Sequence, residues 1–212
     1  EALTVYIPTD WRHALARGLQ LPERSGGAAL FADISGFTPL TEALVRALGP
    51  QRGAEELPRQ LNLIYDALIA EADRYGGSVI GFSGDAITCW FDDSFDLAAL
   101  SAEPEPASAQ TSAAHRAAAC ALAMQAAMRQ FAMIEIDGAG SVALAIKVAV
   151  AAGPVRRFVV GDPAIQTIDV LAGATLNRLA DAEHHALAQH HRQHGGVEVG
   201  PVAAQDTVKV QE

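Results

Sequence analysis

The sequence has little cysteine, few aromatics, few basic residues and no long apolar run, and each shortage excludes something. Only Cys89 and Cys120 occur in 212 residues, and both sit inside apolar patterns, so a disulfide framework is not expected. Aromatics are 6% of the chain while half of it is apolar, so Ala, Val and Leu must fill the core. No apolar stretch approaches the roughly 20 residues of a membrane span, and the first residues lack a signal-peptide layout. Fifteen basic against 25 acidic side chains leave a net charge of −10, with no block of Lys or Arg. A nucleic-acid duplex or an anionic membrane would be repelled, so neither is expected as a partner. Acidic substrates remain open, provided that metal ions or backbone amides supply the positive field locally. A cytoplasmic globular protein is the expectation.

What is present is an alternation of short β-rich runs and amphipathic stretches. Thr9 to Gly18 reads as a short helix with Asp10 as N-cap, followed by Pro22 and the break Ser25-Gly26-Gly27. The apolar run 28–32 suits a buried strand, closed by the lone acid Asp33. Thr38 followed by Pro39 reads as an N-cap with proline in the first turn, opening a helix through Leu48. A second helix is expected from about Glu55 to Tyr75, with Leu57, Leu61, Ile64, Leu68 and Ala72 on one face and Pro58 in the first turn. Strands 78–82 and 86–91 joined by Ser83-Gly84-Asp85 read as a hairpin. Residues 101–112 form a low-complexity loop. A helix from about Ala113 to Phe131, strands at 142–151, 155–160 and 166–171, a helix from Ala174 to about Gln189 and short strands near Val197 and Val208 follow. This order, β-α-α-β-β-α-β with additions, predicts an α+β sheet with helices on one face. A lead-in over 1–25 and one domain over 26–212 are the expected organisation.

Two carboxylates stand out. If the third strand inserts antiparallel beside the first, the hairpin turn carrying Asp85 comes next to the end of the strand carrying Asp33. Convergent carboxylates at a strand edge suit magnesium, which takes few protein oxygens plus water and phosphate. Beside them, the amides of Gly36, Phe37 and Thr38 point out of a helix N-terminus, a natural seat for a triphosphate. A lone Asp after a strand and a Gly-Asp hairpin are equally ordinary turn chemistry, and the residues by themselves leave both readings open.

The blocks Phe31-Ala32-Asp33-Ile34-Ser35-Gly36-Phe37-Thr38, Arg52-Gly53-Ala54-Glu55-Glu56-Leu57 and Gly76-Gly77-Ser78-Val79-Ile80-Gly81-Phe82-Ser83-Gly84-Asp85-Ala86 resemble the class III nucleotidyl cyclases. Within them the chain is most similar to the first cyclase domain of the soluble, bicarbonate-responsive adenylyl cyclases and to bacterial relatives. The likeness runs on through Ala151-Ala152-Gly153, Val160-Gly161-Asp162 and Gly173 to His185. It implies a ferredoxin-like, palm-type βαββαβ sheet with cyclase-type additions. It implies conversion of ATP (or GTP) to a 3′,5′-cyclic monophosphate and pyrophosphate with two Mg2+ ions, Mn2+ being an alternative. By position, Asp33, Asp85 and the Ile34 carbonyl match metal ligands, Gly36, Phe37 and Thr38 the triphosphate loop, and Asn177 the ribose-orienting asparagine. The site would form with a second cyclase domain, in the same chain or in a head-to-tail dimer.

The other half of the pattern departs from the family. A base-selecting lysine is replaced by Gly81, the second base-selecting position is Val170, and Asp181 stands where an arginine would stabilise developing phosphate charge. Loss of such a cation typically costs several kcal/mol of barrier, and Arg178, a helical turn away in angle, is not counted as a substitute. The expectation is therefore a metal-bearing half-site that needs a complementary domain. The alternative is a nucleotide-binding pseudo-cyclase that regulates a partner, and a bicarbonate response through this half is not expected. His184, His185, His190, His191 and His194 lack ligand-like spacing to an acid or cysteine. Cys89, Trp90, Phe91, Met124 and Met128 read as packing, and Arg156-Arg157 as a solvated strand end.

Overall fold

A computed structural model describes residues 8–94, 112–162, 165–194 and 207–211, with 166, 167, 185–194 and 207–211 described by backbone alone. Helix α1 (Thr9–Ala16) precedes β1 (Arg24–Ser35), α2 (Phe37–Leu48) and α3 (Pro50–Arg74). The hairpin β2 (Ser78–Ser83) and β3 (Ala86–Asp92) follows, then α4 (Ala113–Met128) with a 3-10 turn, Arg129–Phe131. Strands β4 (Met133–Ile136), β5 (Gly140–Ala143), β6 (Ala145–Asp162) and β7 (Gln166–Ala172), helix α5 (Ala174–His194) and β8 (Thr207–Gln211) complete the order. The main sheet runs β2-β3-β1-β6-β7, with β8 parallel to β6 and the other neighbours antiparallel. This is the α+β palm-type arrangement that the sequence predicts.

Alternation along β1 divides the interior into two layers. Ala28, Leu30, Ala32 and Ile34 face a core built with Leu40, Ile64, Leu68, Cys120 and Met124 from α2, α3 and α4. Ala29 lies on the other face with Trp90, Ala149, Ala151, Leu179 and Ala182. Helix α5 therefore covers the second face, so the helices are not all on one side as expected. The small side chains at 29, 149 and 151 leave room for Leu179 to lie close to the sheet. Cys89 and Cys120 are free and fully buried, and burial pushes the Cys120 thiol up to about 12, so both act as core residues.

Several expected local features differ. Asp10 is not the N-cap of α1, a place taken by Pro8 without a side-chain bond. The Asp10 carboxylate instead accepts from Ser78 Oγ at 2.8 Å and pairs with Arg157 at 2.5 Å. Helix α3 begins at Pro50, and Pro58 lies inside it rather than in its first turn. Gly53 explains the early start. A Cβ there would meet Val45 backbone atoms at 2.9 Å, so α2 and α3 pack close enough to hold the turns ahead of Pro58, whose ring is exposed. Strand β6 is one 18-residue strand where two were expected, and β4 was not foreseen. Arg157 is buried rather than solvated, with its side chain 4% exposed. The expected strand near Val197 and the loop 101–112, apart from the α4 N-cap Ser112, lie outside the described residues. Among the described residues no helix is long and apolar enough to cross a membrane.

Candidate active site

Asp33 sits within β1, directly opposite Ala86 of β3 and Lys147 of β6. The next residue, Ile34, donates its N–H to the Asp85 carbonyl at 3.3 Å. The antiparallel insertion of β3 thus brings the residue after Gly84 beside the carboxyl end of β1, as the topology argument requires. Asp33 and Asp85 are both half-buried. Ile34 turns its side chain into the core at 2% exposure, which anchors the strand while its backbone stays at the site.

Tyr65 of α3 reaches the same place. Its hydroxyl donates to the Gly84 carbonyl at 2.9 Å and its ring meets Phe82 edge-on at 5.5 Å. Burial, then the charges of Asp85 and Asp33, push the phenol upward, so the hydroxyl stays a donor throughout the neutral range. Both carboxylates are near enough to one phenol for their charges to be felt there.

Chain direction reverses at Gly36, which has φ +97° and caps α2. A Cβ at this position would overlap the Ala143 carbonyl and lie 2.8 Å from Leu144 Cδ2, so glycine is required by both conformation and space. No side chain bonds the helix start, and Pro39 has no N–H. The first amides of α2, on Phe37 and Thr38, have no carbonyl partner within the helix and can offer donors to an anion.

Lys147 is the residue that motif reading missed. Its ammonium lies 2.7 Å from Asp33 Oδ2. The signal was present. Within β6 the odd positions 145, 149 and 151 are alanine, and one lysine interrupts them on the face that carries Asp33.

Asn177 is not brought to this cluster. Helix α5 starts beside Pro154 and Val155, whereas Asp33 pairs with Lys147 and Gly27 with Gly153. The two places are about 20 Å apart along the strand. Asn177 and Asp181 are exposed on α5. Arg178 turns inward, donating to the Ala152 carbonyl at 2.5 Å, and is not available as a surface cation. Gly81 lies at a bulge of β2 with open space where a Cβ would project. Val170 sits opposite Phe158 on the β6–β7 arm. His184 bonds the Ala180 carbonyl at 2.7 Å and is exposed; the side chains of His185, His190, His191 and His194 lie outside the described residues.

The donor set at Asp33 and Asp85 is two carboxylates with a neighbouring backbone carbonyl. That fits a hard divalent ion completed by water and phosphate, and not a closed protein cage. Among the described residues no group of three or more His, Cys, Asp and Glu side chains gathers.

No family model matches the chain. Adenylate cyclase type 10 from Rattus norvegicus and from Homo sapiens each match 61 residues at 41% identity, 29% of this chain and 4% of theirs. The matched segment is thus a small fraction of those proteins. A bacterial light-regulated adenylyl cyclase superposes with a TM-score of 0.62 at 19% identity, over 89% of this chain and 48% of that one. The adenylyl cyclase CyaB from P. aeruginosa gives 0.55 at 22% identity over 76% of this chain and 72% of that one. The guanylyl cyclase Cya2 gives 0.51 at 24% identity over 76% and 71%. The structural likeness is one of fold, and it extends to cyclases of both nucleotide preferences.

Proposed function

We propose that the chain is a class III cyclase domain that supplies the metal- and phosphate-binding half of a nucleotidyl cyclase site completed by a second cyclase domain, a reading supported by the type 10 cyclase segment and the shared fold. ATP is the proposed substrate, an assignment supported by the names of the matched type 10 relatives. The observation that carries the reading is that Asp33, the backbone of Asp85 and the uncapped α2 N-terminus come together at the carboxyl end of β1. Asp33, Asp85 and the Ile34 carbonyl would hold Mg2+, which when bound stabilises charge on the attacking and leaving oxygens of phosphoryl chemistry. The Phe37 and Thr38 amides bind the phosphates, and Gly36 lets the backbone approach them.

The partner domain follows from what this chain lacks on one surface. Gly81, Val170 and Asp181 offer no cation to base or phosphate, and Asn177 is far from Asp33 within the chain. The β6–β7 arm supports such a partner, because Phe158, Val160, Ile168 and Val170 lie on one face of it, 39–57% exposed. That apolar patch fits burial against a second domain.

The test is product formation with ATP and Mg2+ by residues 1–212 alone and mixed with a cyclase domain carrying the missing lysine and arginine. Little or no cyclic nucleotide is expected alone. Mixing should raise it by at least about tenfold, an effect lost in Asp33→Asn. The departures at Gly81 and Asp181 favour a second reading, a nucleotide-binding regulator without activity. Triphosphate binding with no product from any mixture would select it.

A further inference from the structure

Lys147 and Asp33 are direct cross-strand partners with 2.7 Å between Nζ and Oδ2. Their side chains are only 19% and 22% exposed, so water and salt screen the pair less than they would at the surface. Twelve residue pairs hold β1 and β6 in register around it, which leaves the lysine stem as the movable part. In the metal-free protein the Asp33 carboxylate therefore already has a cation.

We propose that Lys147 is an internal counter-ion that a divalent metal must displace from Asp33, and that this displacement couples metal binding to triphosphate binding. The inference rests on the reading of Asp33 as a metal ligand. Mg2+ at about 2.1 Å from either oxygen of this carboxylate would stand within about 4–5 Å of the ammonium, a repulsion that a half-buried place screens poorly. The four-carbon stem lets the ammonium swing away, but in this half-buried place it leaves without an anion. A triphosphate on the Phe37 and Thr38 amides provides one. Metal alone then binds weakly, metal with triphosphate binds well, and each ligand raises the affinity of the other by the same factor.

The experiment is calorimetric titration of the chain with Mn2+, alone and with a non-hydrolysable triphosphate analogue, for the native protein, Lys147→Gln, Lys147→Arg and Asp33→Asn. Lys147→Gln should bind Mn2+ alone about tenfold more tightly than the native protein, and the enhancement by the analogue should shrink by a similar factor. Lys147→Arg, which keeps the charge, should resemble the native protein, and Asp33→Asn should lose the site. Melting curves establish that each variant is folded, with Lys147→Met in place of any glutamine variant that is not. Mn2+ binding lost in Asp33→Asn but unstrengthened by Lys147→Gln overturns the counter-ion inference alone. Binding that no protein shows, or that Asp33→Asn retains, overturns the metal reading and the inference with it.

Discussion

The Tyr65 hydroxyl is the one side-chain bond described to the turn that carries Asp85, reaching the Gly84 carbonyl from α3. Gly84 is exposed, so water can replace the phenol and the cost of losing it is small. Tyr65→Phe should lower stability by about 1 kcal/mol, or roughly 2–4 °C in a thermal melt of a chain this size. If Asp85 is a metal ligand, the same variant should weaken Mn2+ binding several-fold, because a loosened turn spreads the positions its carboxylate samples. A lower melting temperature with unchanged Mn2+ affinity would make Tyr65 a purely structural residue. Gly81 stands in the opposite situation, with open space around it. Space does not explain the absence of lysine there, and nothing else in the structure does.

Among elements, α1 is fastened by charge. Arg157 of β6 lies between Asp10 of α1 at 2.5 Å and Asp169 of β7 at 2.6 Å, and Trp11 Nε1 donates to the same Asp169 oxygen at 2.6 Å. Burial, aided by the charge of Asp10, outweighs Trp11 and Arg157 and holds the Asp169 carboxyl above its usual value. Removing the guanidinium leaves two largely buried carboxylates facing each other. Arg157→Met should therefore cost about 3–5 kcal/mol at neutral pH. The sign of its pH dependence follows. Without the cation the Asp169 carboxyl is raised further, so the folded variant binds more protons than the unfolded one as pH falls from 7 towards 5. The variant should recover stability relative to the native protein over that interval, read by denaturant unfolding at the two pH values. An equal deficit at both would mean that packing of the arginine stem, not its charge, is what α1 needs.

For the whole molecule, the arm formed by β6 and β7 leaves Phe158, Val160, Ile168 and Val170 on a shared face. Ile168 is 57% exposed, so Ile168→Glu buries no charge in the isolated chain and should leave the melting temperature unchanged. Against a complementary cyclase domain it should weaken association by about tenfold or more, measured by sedimentation of the mixture. Unaltered association would place the partner elsewhere and remove the support that this patch lends to a two-domain site.

The sequence by itself determined the local and near-local features. The apolar run ahead of Asp33, the turn at Gly36, the heptad-like spacing of α3 and the hairpin around Gly84 depend on neighbours a few residues away, and the resemblance to cyclases is carried by those same blocks. The packed structure decided what depends on distant partners. Pro58 is tolerated inside α3 because Gly53 lets α2 lie close, and Asp10 leaves the cap because Arg157 lies in reach from 147 residues away in the chain. Asp33 meets Lys147 because β1 and β6 pair in one register out of many. Helix α5 takes the second face because alanines from β1 and β6 happen to line up there. Pattern and propensity act through the chain, whereas charge pairs and close approaches act through space, and only the fold brings those residues together.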